Sequence, residues 1–535
     1  MGCVGRMDLH GGGLVKKAAQ SIPPIPDSVA AYVAFDAKKR EIYADARRAG
    51  DPLLQTWLVM CRNAGMEIKL VKAEPDIISS VKESIASEQG AKSVVSVQPS
   101  MDMRQMAITM LKRAGEHNAS DMHVLLNETH AEIQIRVKGR LRVMEKLPVR
   151  EGQALSRAFF QGLATVKESY NPLEFQDGQI AGDALKDTIL SSVRLVRGPK
   201  YPVDQNCGFV VARLQYKTGR PKQGKTTKGY PYPSAPAGVM DLAGMGYTAE
   251  QAVLMEEIAS SPSGIVIISG PTGSGKTYTL NEILKHVARL RPYQRLISIE
   301  SPVEHPMPWA IQLQASESKS EDAFGDRLVT TLRADPDILL IGELRSAASA
   351  IPARDAAITG HMVWTTLHVD DPYMVIDRLE GMDRHNLNRQ AICDHKLIRA
   401  MIGQRLVGQL CPDCSKPLER DKDALPKRLT DAIATWGDLA RVKIMGPGCD
   451  TCGQDGIVGM RAVAEIVKTT PQLMQVLAKD GTASARAYHR ASGQAGKSLL
   501  ENAMDLVFQG LLDPREVEEA VDVIEPKVTL STSQV

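Results

Sequence analysis

From Met101 onward the spacing of apolar residues changes from stretch to stretch, and each change predicts an element. Met106 to Arg113 reads as helix. Ala131, Ile133, Ile135 and Val137 then alternate with Glu132, Gln134, Arg136 and Lys138, the period of two that marks a half-buried strand, and Gly139 follows as a turn. Ile189 to Val196 and Phe209 to Leu214 are further strand-like runs that close an α+β domain. Beyond them, Thr248 and Gln251 stand at capping-box spacing and predict a helix running towards Ser260. Four short apolar runs follow, Ile265 to Ser269, Leu296 to Ile299, Ile338 to Ile341 and Met362 to Leu367. Each is flanked by helical or turn-like sequence, which predicts buried parallel strands of a three-layer α/β domain. Phe324, Leu328 and Leu332 lie at helical spacing and stop at Asp335-Pro336, where proline disfavours a continuing helix. No repeat of solenoid length is visible.

These patterns divide the chain into 1–98, without a chemical motif; 99–216, the α+β domain; 217–237, a linker; 238–408, the α/β core; 409–467, an insert with a return to the core; and 468–535, a helical region and tail. A length of 535 residues suits three or four domains. The Pro-rich piece Ile22 to Pro26 reads as a turn or linker. Between Tyr216 and Pro236 five dispersed basic residues occur without an acidic one, which suits a solvated hinge, with a lipid or nucleic-acid patch as the alternative.

Composition narrows the class. Hydrophobic residues make up 43% and charged residues 24%, the make-up of an ordinary folded chain. A formal charge of +2 gives no field to hold a polyanion, so no nucleic-acid partner is expected. No apolar run approaches the ~18 residues of a membrane span, and Met1 to Gly13 lacks the apolar stretch of a secretory signal, so the expectation is a soluble, unexported protein. Met1-Gly2-Cys3 resembles an acylation site, but Arg6 stands where a myristoylation signal wants Ser or Thr.

The sharpest chemical signal is Gly270-Pro271-Thr272-Gly273-Ser274-Gly275-Lys276-Thr277, followed by Tyr278, between a predicted strand and a helical stretch. This is a full Walker A pattern. Its glycines let backbone N–H groups cradle phosphate oxygens at the positive end of a helix. Lys276 is expected to reach the β- and γ-phosphates of ATP, and Thr277 to ligate Mg²⁺. The second element expected is an acidic residue at the end of a neighbouring strand, and Asp337-Ile338-Leu339-Leu340-Ile341-Gly342-Glu343 offers one. Glu343 is the candidate to polarise the attacking water; the alternative is that it merely pairs with Arg345. Cys411-Pro412-Asp413-Cys414 and Cys449-Asp450-Thr451-Cys452 form two Cys-x-x-Cys knuckles with 34 residues between them, able to close a structural tetrahedral Zn²⁺ site. A thioredoxin-like redox pair is the rival reading. The other four cysteines read as small buried residues.

With these residues in place, the stretch from Met101 to Val467 resembles the motor ATPases of type II secretion and type IV pilus assembly. Ile299-Glu300-Ser301-Pro302-Val303-Glu304 is similar to that family's Asp box, Gly342-Glu343-Leu344-Arg345 to its Walker B, and Gly360-His361 to Thr366-Leu367-His368 to its His box. Ala119-Ser120-Asp121-Met122-His123 and Gln176-Asp177-Gly178 are similar to motifs of its second amino-terminal domain. The resemblance implies a RecA-like P-loop core preceded by an α+β, PAS-like domain, with the tetracysteine insert typical of assembly and export motors. It also implies six subunits in a ring, hydrolysing ATP on the cytoplasmic face of the inner membrane. There the ring would work against a platform protein and associated assembly proteins, with residues 1–98 as the docking region. Glu300 and Glu304 would serve the Mg²⁺ and water network, and His361 and His368 would sense nucleotide; on periodicity alone both histidines merely flank a strand. Arg194 and Arg213, with Arg136 and Arg140 as second choices, would neutralise phosphoryl charge, or are exposed strand arginines. His305 reads as a surface residue. Ser301, Ser346 and Gln179 depart from the family's pattern, as does Pro352 inside an expected helix. A conjugation-type or retraction ATPase, or a nucleotide-switched zinc scaffold without turnover, are the alternatives.

Overall fold

A computed structural model describes residues 101–527 apart from 167–168, 219–222, 316–320 and 422, and before them 32–36, 39–63 and 68–74 with positions 25, 29, 77, 78 and 81. The Met1-Gly2-Cys3 start and all of the Pro-rich piece except Ile25 lie outside the described residues. The chain divides into two compact units, 1–97 and 98–535. In the first, β1 (Val33–Asp36) and β2 (Glu41–Asp45) form a hairpin, and α1 (Pro52–Asn63) leads to β3 (Lys69–Ala73), parallel to β2. Leu54, Trp57 and Cys61 recur at helical spacing on α1 and bury against Ile42 and Ala44.

The second unit opens with α2 (Met101–Glu116), then β4 (Asp121–Leu126), β5 (Ala131–Val137), β6 (Arg140–Leu147), α3 (Val149–Arg157), β7 (Gln176–Ala181), β8 (Leu190–Pro199) and β9 (Gly208–Tyr216). The strands form one antiparallel sheet in the order β6-β5-β4-β9-β8-β7. Ala107, Met110, Leu111 and Ala114 of α2 cover one face through Met122, Val124, Ile133 and Ile135. The opposite face is not solvated. Leu125, Val196, Phe209 and Val211 join Ile297, Ile299, Ile311 and Leu313 of the α/β core, and the polar positions of β5, Glu132, Gln134 and Arg136, are buried as well. The strand expected to be half-buried is therefore buried on both faces: the core supplies polar partners for Gln134 and Arg136, while Glu132 is met within its own domain by Lys146 at 3.2 Å and by Gln134.

Those partners form a charged seam. Arg136 donates from Nε to Asp335 and from Nη2 to Asp337 Oδ2 at 2.8 Å. Asp335 also meets His123 Nε2 at 3.0 Å, and Arg295 donates to Gln134. Arg213 pairs with Asp121 at 2.9 Å and approaches Asp335 at 3.6 Å. Asp335 adopts φ +58, a conformation that short polar side chains tolerate better than most. Despite the opposing cost of burial, its bonds from His123 and the nearby Arg136 hold its carboxyl at about 2.

The core runs α4 (Ala249–Ala259), β10 (Gly264–Ser269), α5 (Lys276–Leu290), β11 (Leu296–Glu300), β12 (Ile311–Gln314), α6 (Glu321–Thr331), β13 (Ile338–Ile341), α7 (Ala347–Ile358), β14 (Met362–Leu367), α8 (Val375–Met382), β15 (Ile398–Leu410), β16 (Lys416–Pro417), α9 (Lys427–Ala434), β17 (Lys443–Ile444), β18 (Ile457–Lys468), α10 (Pro471–Ala491), α11 (Leu499–Phe508) and α12 (Pro514–Ala520). Its seven-stranded sheet has the order β12-β11-β13-β14-β10-β15-β18, and the first six strands are parallel. The four predicted apolar runs are β10, β11, β13 and β14; β12 and the long β15–β18 ribbon were not anticipated. Val266, Ile268, Leu340 and Trp364 face α5 on one side, while Ile267, Leu339 and Val363 face α7 on the other, which is why these strands read as unbroken apolar runs. Thr248 and Gln251 form the capping box of α4 as expected.

Pro352 does not interrupt α7. A proline lacks the N–H that would meet the Ala348 carbonyl four residues back, and α6 closes on that carbonyl instead. A Cβ at Gly325 would lie 2.8 Å from Ala348 O, so only glycine permits the approach.

Two outcomes follow from the seam. Arg136→Met leaves the carboxylates of Asp335 and Asp337 without their buried guanidinium, and should lower unfolding free energy by about 3–5 kcal/mol in urea denaturation; a change below about 1 kcal/mol would contradict the seam's role. His123 is fully buried with Nδ1 lacking a partner among the described residues, and burial, then the charges of Arg295 and Arg136, lower its pKa. The unfolded chain therefore takes up this proton first as pH falls, so stability should decline below the ordinary histidine value of about 6.5. The His123→Gln variant should show a flatter melting-temperature profile between pH 7.5 and 5.5.

Candidate functional site

Parallel strands end at one edge, and the loops leaving that edge build the site. From β10 the chain passes through Gly270, Gly273 and Gly275 at φ +150, +81 and +79 before α5 begins at Lys276. Gly270 admits no side chain, since a Cβ there would meet Gln404 O at 2.4 Å. Lys276 is buried and donates from Nζ to Gly270 O at 2.9 Å and Pro271 O at 2.8 Å. Burial lowers its pKa, with Arg405 acting the same way and Glu343 and Glu304 opposing. The loop is fastened from behind by Gln404, whose Nε2 donates to Ser274 O at 2.7 Å while its Oε1 accepts from Tyr247 and Thr279.

The segment Thr272–Tyr278 walls a cavity of about 730 Å³, shared with Glu300 at the end of β11, Ser301 and Glu304 just beyond it, Glu343 after β13 and His368 after β14. Glu300 is buried, accepting from Ser298 Oγ at 2.5 Å and Gln312 Nε2 at 3.1 Å, and burial raises its pKa. Glu343 meets the anticipated Arg345, with Nε at 2.9 Å from one oxygen, and also His368, not anticipated as its partner, with Nε2 at 3.3 Å from the other. Tyr278 and His305 stand edge to face at the cavity wall, 6.0 Å between ring centres, so His305 borders the site and is not a plain surface residue. The Thr277 hydroxyl and the carboxylates of Glu300, Glu304 and Glu343 offer the hard oxygen donors that Mg²⁺ takes.

Other candidates lie elsewhere in this chain. His361 precedes β14, at the far end of the strand from His368, where its Nδ1 meets Ala356 O at 2.9 Å; strand polarity keeps it from the cavity. Arg194 and Arg213 face a second cavity of about 780 Å³ bounded by Gln176–Gln179 and Arg333. Arg136 is locked in the seam, and Arg140 stacks over Tyr293 at 4.9 Å. Ser298, Gln312, Gln404 and Arg405 were not anticipated. The signal for the last two was present, as polar residues inside the apolar run from Met401 to Val407. Among the departures, Ser301 donates to Ala315 O at 3.0 Å, and Ser346 is the N-cap of α7.

The four knuckle cysteines converge, with all Sγ atoms within 4.8 Å of one another. Cys411–Cys449 is 3.6 Å, and Cys414–Cys452 and Cys449–Cys452 are 3.8 Å. Four sulfurs at ~2.3 Å from a tetrahedral zinc would stand ~3.8 Å apart, so the set fits Zn²⁺. The backbone N–H groups of Cys449 and Gly456 donate to Cys452 Sγ at 3.2 and 3.1 Å, bonds that favour thiolate. Of the remaining cysteines, Cys61 and Cys207 are buried and Cys393 is partly so, while Cys3 lies outside the described residues.

With the loop, the strand-end acids and the cysteine cluster in place, sequence comparison decides the family: the description "Type II/IV secretion system protein" matches residues 234–519, more than half of the chain. The chain belongs to the type II/IV secretion system protein family. The family match begins in the linker and ends in α12, so it takes in both the cavity and the cysteine insert. The chain is 28% identical over 413 residues to the type IV pilus assembly ATPase PilB of Thermus thermophilus, covering 76% of this chain but 42% of that protein. It is also 28% identical over 408 residues to the putative type II secretion system protein E of Escherichia coli, covering 75% and 73%. Among solved structures, the pilus retraction motor PilT with bound ADP aligns over 77% of this chain and 96% of that one at 18% identity, with a TM-score of 0.39. No helix among the described residues is long and apolar enough to cross a membrane.

The cysteine cluster carries a direct test. Purified protein should contain about one zinc per chain by elemental analysis, and Cys452→Ser should lose it together with several degrees of melting temperature. A metal-free protein of unchanged melting temperature would remove the zinc assignment.

Proposed function

We propose that the protein is an ATP-hydrolysing motor of type II secretion or type IV pilus assembly, acting as a homo-hexamer on an inner-membrane platform protein from the cytoplasmic side. The observation that carries this reading is the single cavity in which Lys276, Thr277, Glu300, Glu304, Glu343 and His368 meet. The loop N–H groups and Lys276 hold the β- and γ-phosphates of ATP, Lys276 exchanging its loop carbonyls for phosphate oxygens. Thr277, with Glu300 and Glu304, holds Mg²⁺, which when bound offsets the phosphate charge. Glu343 orients the attacking water and accepts its proton, while His368, with Nε2 3.3 Å from Glu343 Oε1, fixes how Glu343 points. Arg194 and Arg213 lie at a different cavity, so their action on phosphate requires a neighbouring copy or a movement of the α+β domain. The tetracysteine cluster favours assembly and export over retraction. The residue differences at Ser301, Ser346 and Gln179, together with the pairing of both Glu343 oxygens, favour a second reading, a nucleotide switch without turnover.

Steady-state phosphate release by the zinc-loaded protein separates the two. Mg²⁺-dependent turnover should fall by at least about 100-fold in Glu343→Gln, with ATP still bound. An oligomeric wild type that binds ATP yet releases no phosphate, even with its membrane partner, would leave the switch as the better account.

A further inference from the structure

Arg405 lies behind the phosphate loop with its side chain 8% exposed. A buried cation is costly without a counter-charge, and its nearest carboxylate, Asp370 Oδ1 at 3.5 Å, belongs to a side chain that is 88% exposed. Its close bonds go instead to backbone carbonyls, Nη1 to Gln404 O at 3.0 Å and Nη2 to Asp370 O at 2.7 Å. Asp370 closes the short turn that leaves β14. The other end of that turn is Leu367, whose carbonyl accepts from Gly270 N of the phosphate loop at 3.3 Å and from Val369 N at 3.2 Å. Between these anchors stands His368, with Nε2 3.3 Å from Glu343 Oε1. Glu343 is itself bracketed by β14, since Thr366 Oγ1 donates to Gly342 O at 2.7 Å and Leu344 N to Thr366 O at 3.0 Å.

We infer that Arg405 is a positioning residue for hydrolysis: it fixes the Leu367–Asp370 turn against the phosphate loop, and so sets the direction from which His368 holds Glu343. This rests on the proposed ATPase reading. Arg405 touches neither Glu343 nor His368, and its effect passes through the backbone of Asp370. A planar guanidinium can span two carbonyls at once, whereas a lysine ammonium at the same place keeps the charge but not that geometry.

The test compares wild type, Arg405→Lys, Arg405→Gln, His368→Gln and the double variant Arg405→Lys/His368→Gln in the full-length protein, by phosphate release over a range of ATP concentrations and by melting temperature. Arg405→Lys should lower kcat by about 10- to 100-fold, as small misplacements of catalytic groups do, with KM for ATP and melting temperature little changed. In the His368→Gln background the same substitution should add little further loss, because the two act through one path. An unchanged kcat, a rise in KM alone, or full additivity with His368→Gln overturns the inference while leaving the ATPase reading intact. A wild type without turnover overturns both. Should Arg405→Gln fail to fold, Arg405→Lys carries the test.

Discussion

The half-buried carboxylate of Asp335 is the point on which the two domains of the larger unit depend. It lies between the end of α6 and the start of β13, in a left-handed conformation just before Pro336, and takes bonds from Arg136 and His123 of the antiparallel sheet. Proline at 336 disfavours continuing the helix from 335, so the chain leaves α6 sharply and enters β13 with Asp335 aimed at the other domain. Without that pairing the polar side of β5 would face the apolar and charged surface of the core with its donors unmatched. A buried ion pair of this kind adds little net stability over a well-packed apolar contact, but removing one partner is severe. It ties β5 of one sheet to the residues that lead into β13 of the other.

That tie also shows where sequence reading succeeds and where it stops. The phosphate loop, the capping box at Thr248 and the four apolar strands were legible because each is written in contiguous residues whose spacing carries the physics. The seam was not. Glu132, Gln134 and Arg136 alternate with apolar neighbours as solvent-facing residues do, and only the partner domain, about 200 positions away at Asp335 and Asp337, shows that they are buried. β12 and the β15–β18 ribbon were missed for a related reason. Gln404 and Arg405 interrupt an apolar run, and the carbonyls and hydroxyls that satisfy them come from Ser274, Tyr247 and Asp370, far off in sequence.

The candidate site divides in the same way. Motif spacing gave the residue types around the phosphate loop, and the common edge of the parallel sheet brings Glu300, Glu304, Glu343 and His368 to it. For His361 the motif gave a residue type without an end of the strand. For Arg194 and Arg213 it gave no direction, and in this chain they line another cavity.

Two shifts at the phosphate cavity point in opposite senses and share one cause. Burial holds Lys276 below the usual lysine range and Glu300 above the usual carboxylate range, so each is disfavoured in its charged form. On the proposed reading each would be relieved by the opposite charge, Lys276 by phosphate oxygens and Glu300 by a divalent cation, two charges that attract one another. Anion and cation would then favour each other's binding across the cavity, beyond what either gains alone. Glu343 lines the same cavity, with Arg345 Nε 2.9 Å from one oxygen and His368 Nε2 3.3 Å from the other. The same pairing serves either reading: for hydrolysis it would set the carboxylate's direction towards a water in advance, a form of preorganisation that needs no reorganisation at the moment of reaction, and for a switch it would occupy the oxygens a water needs.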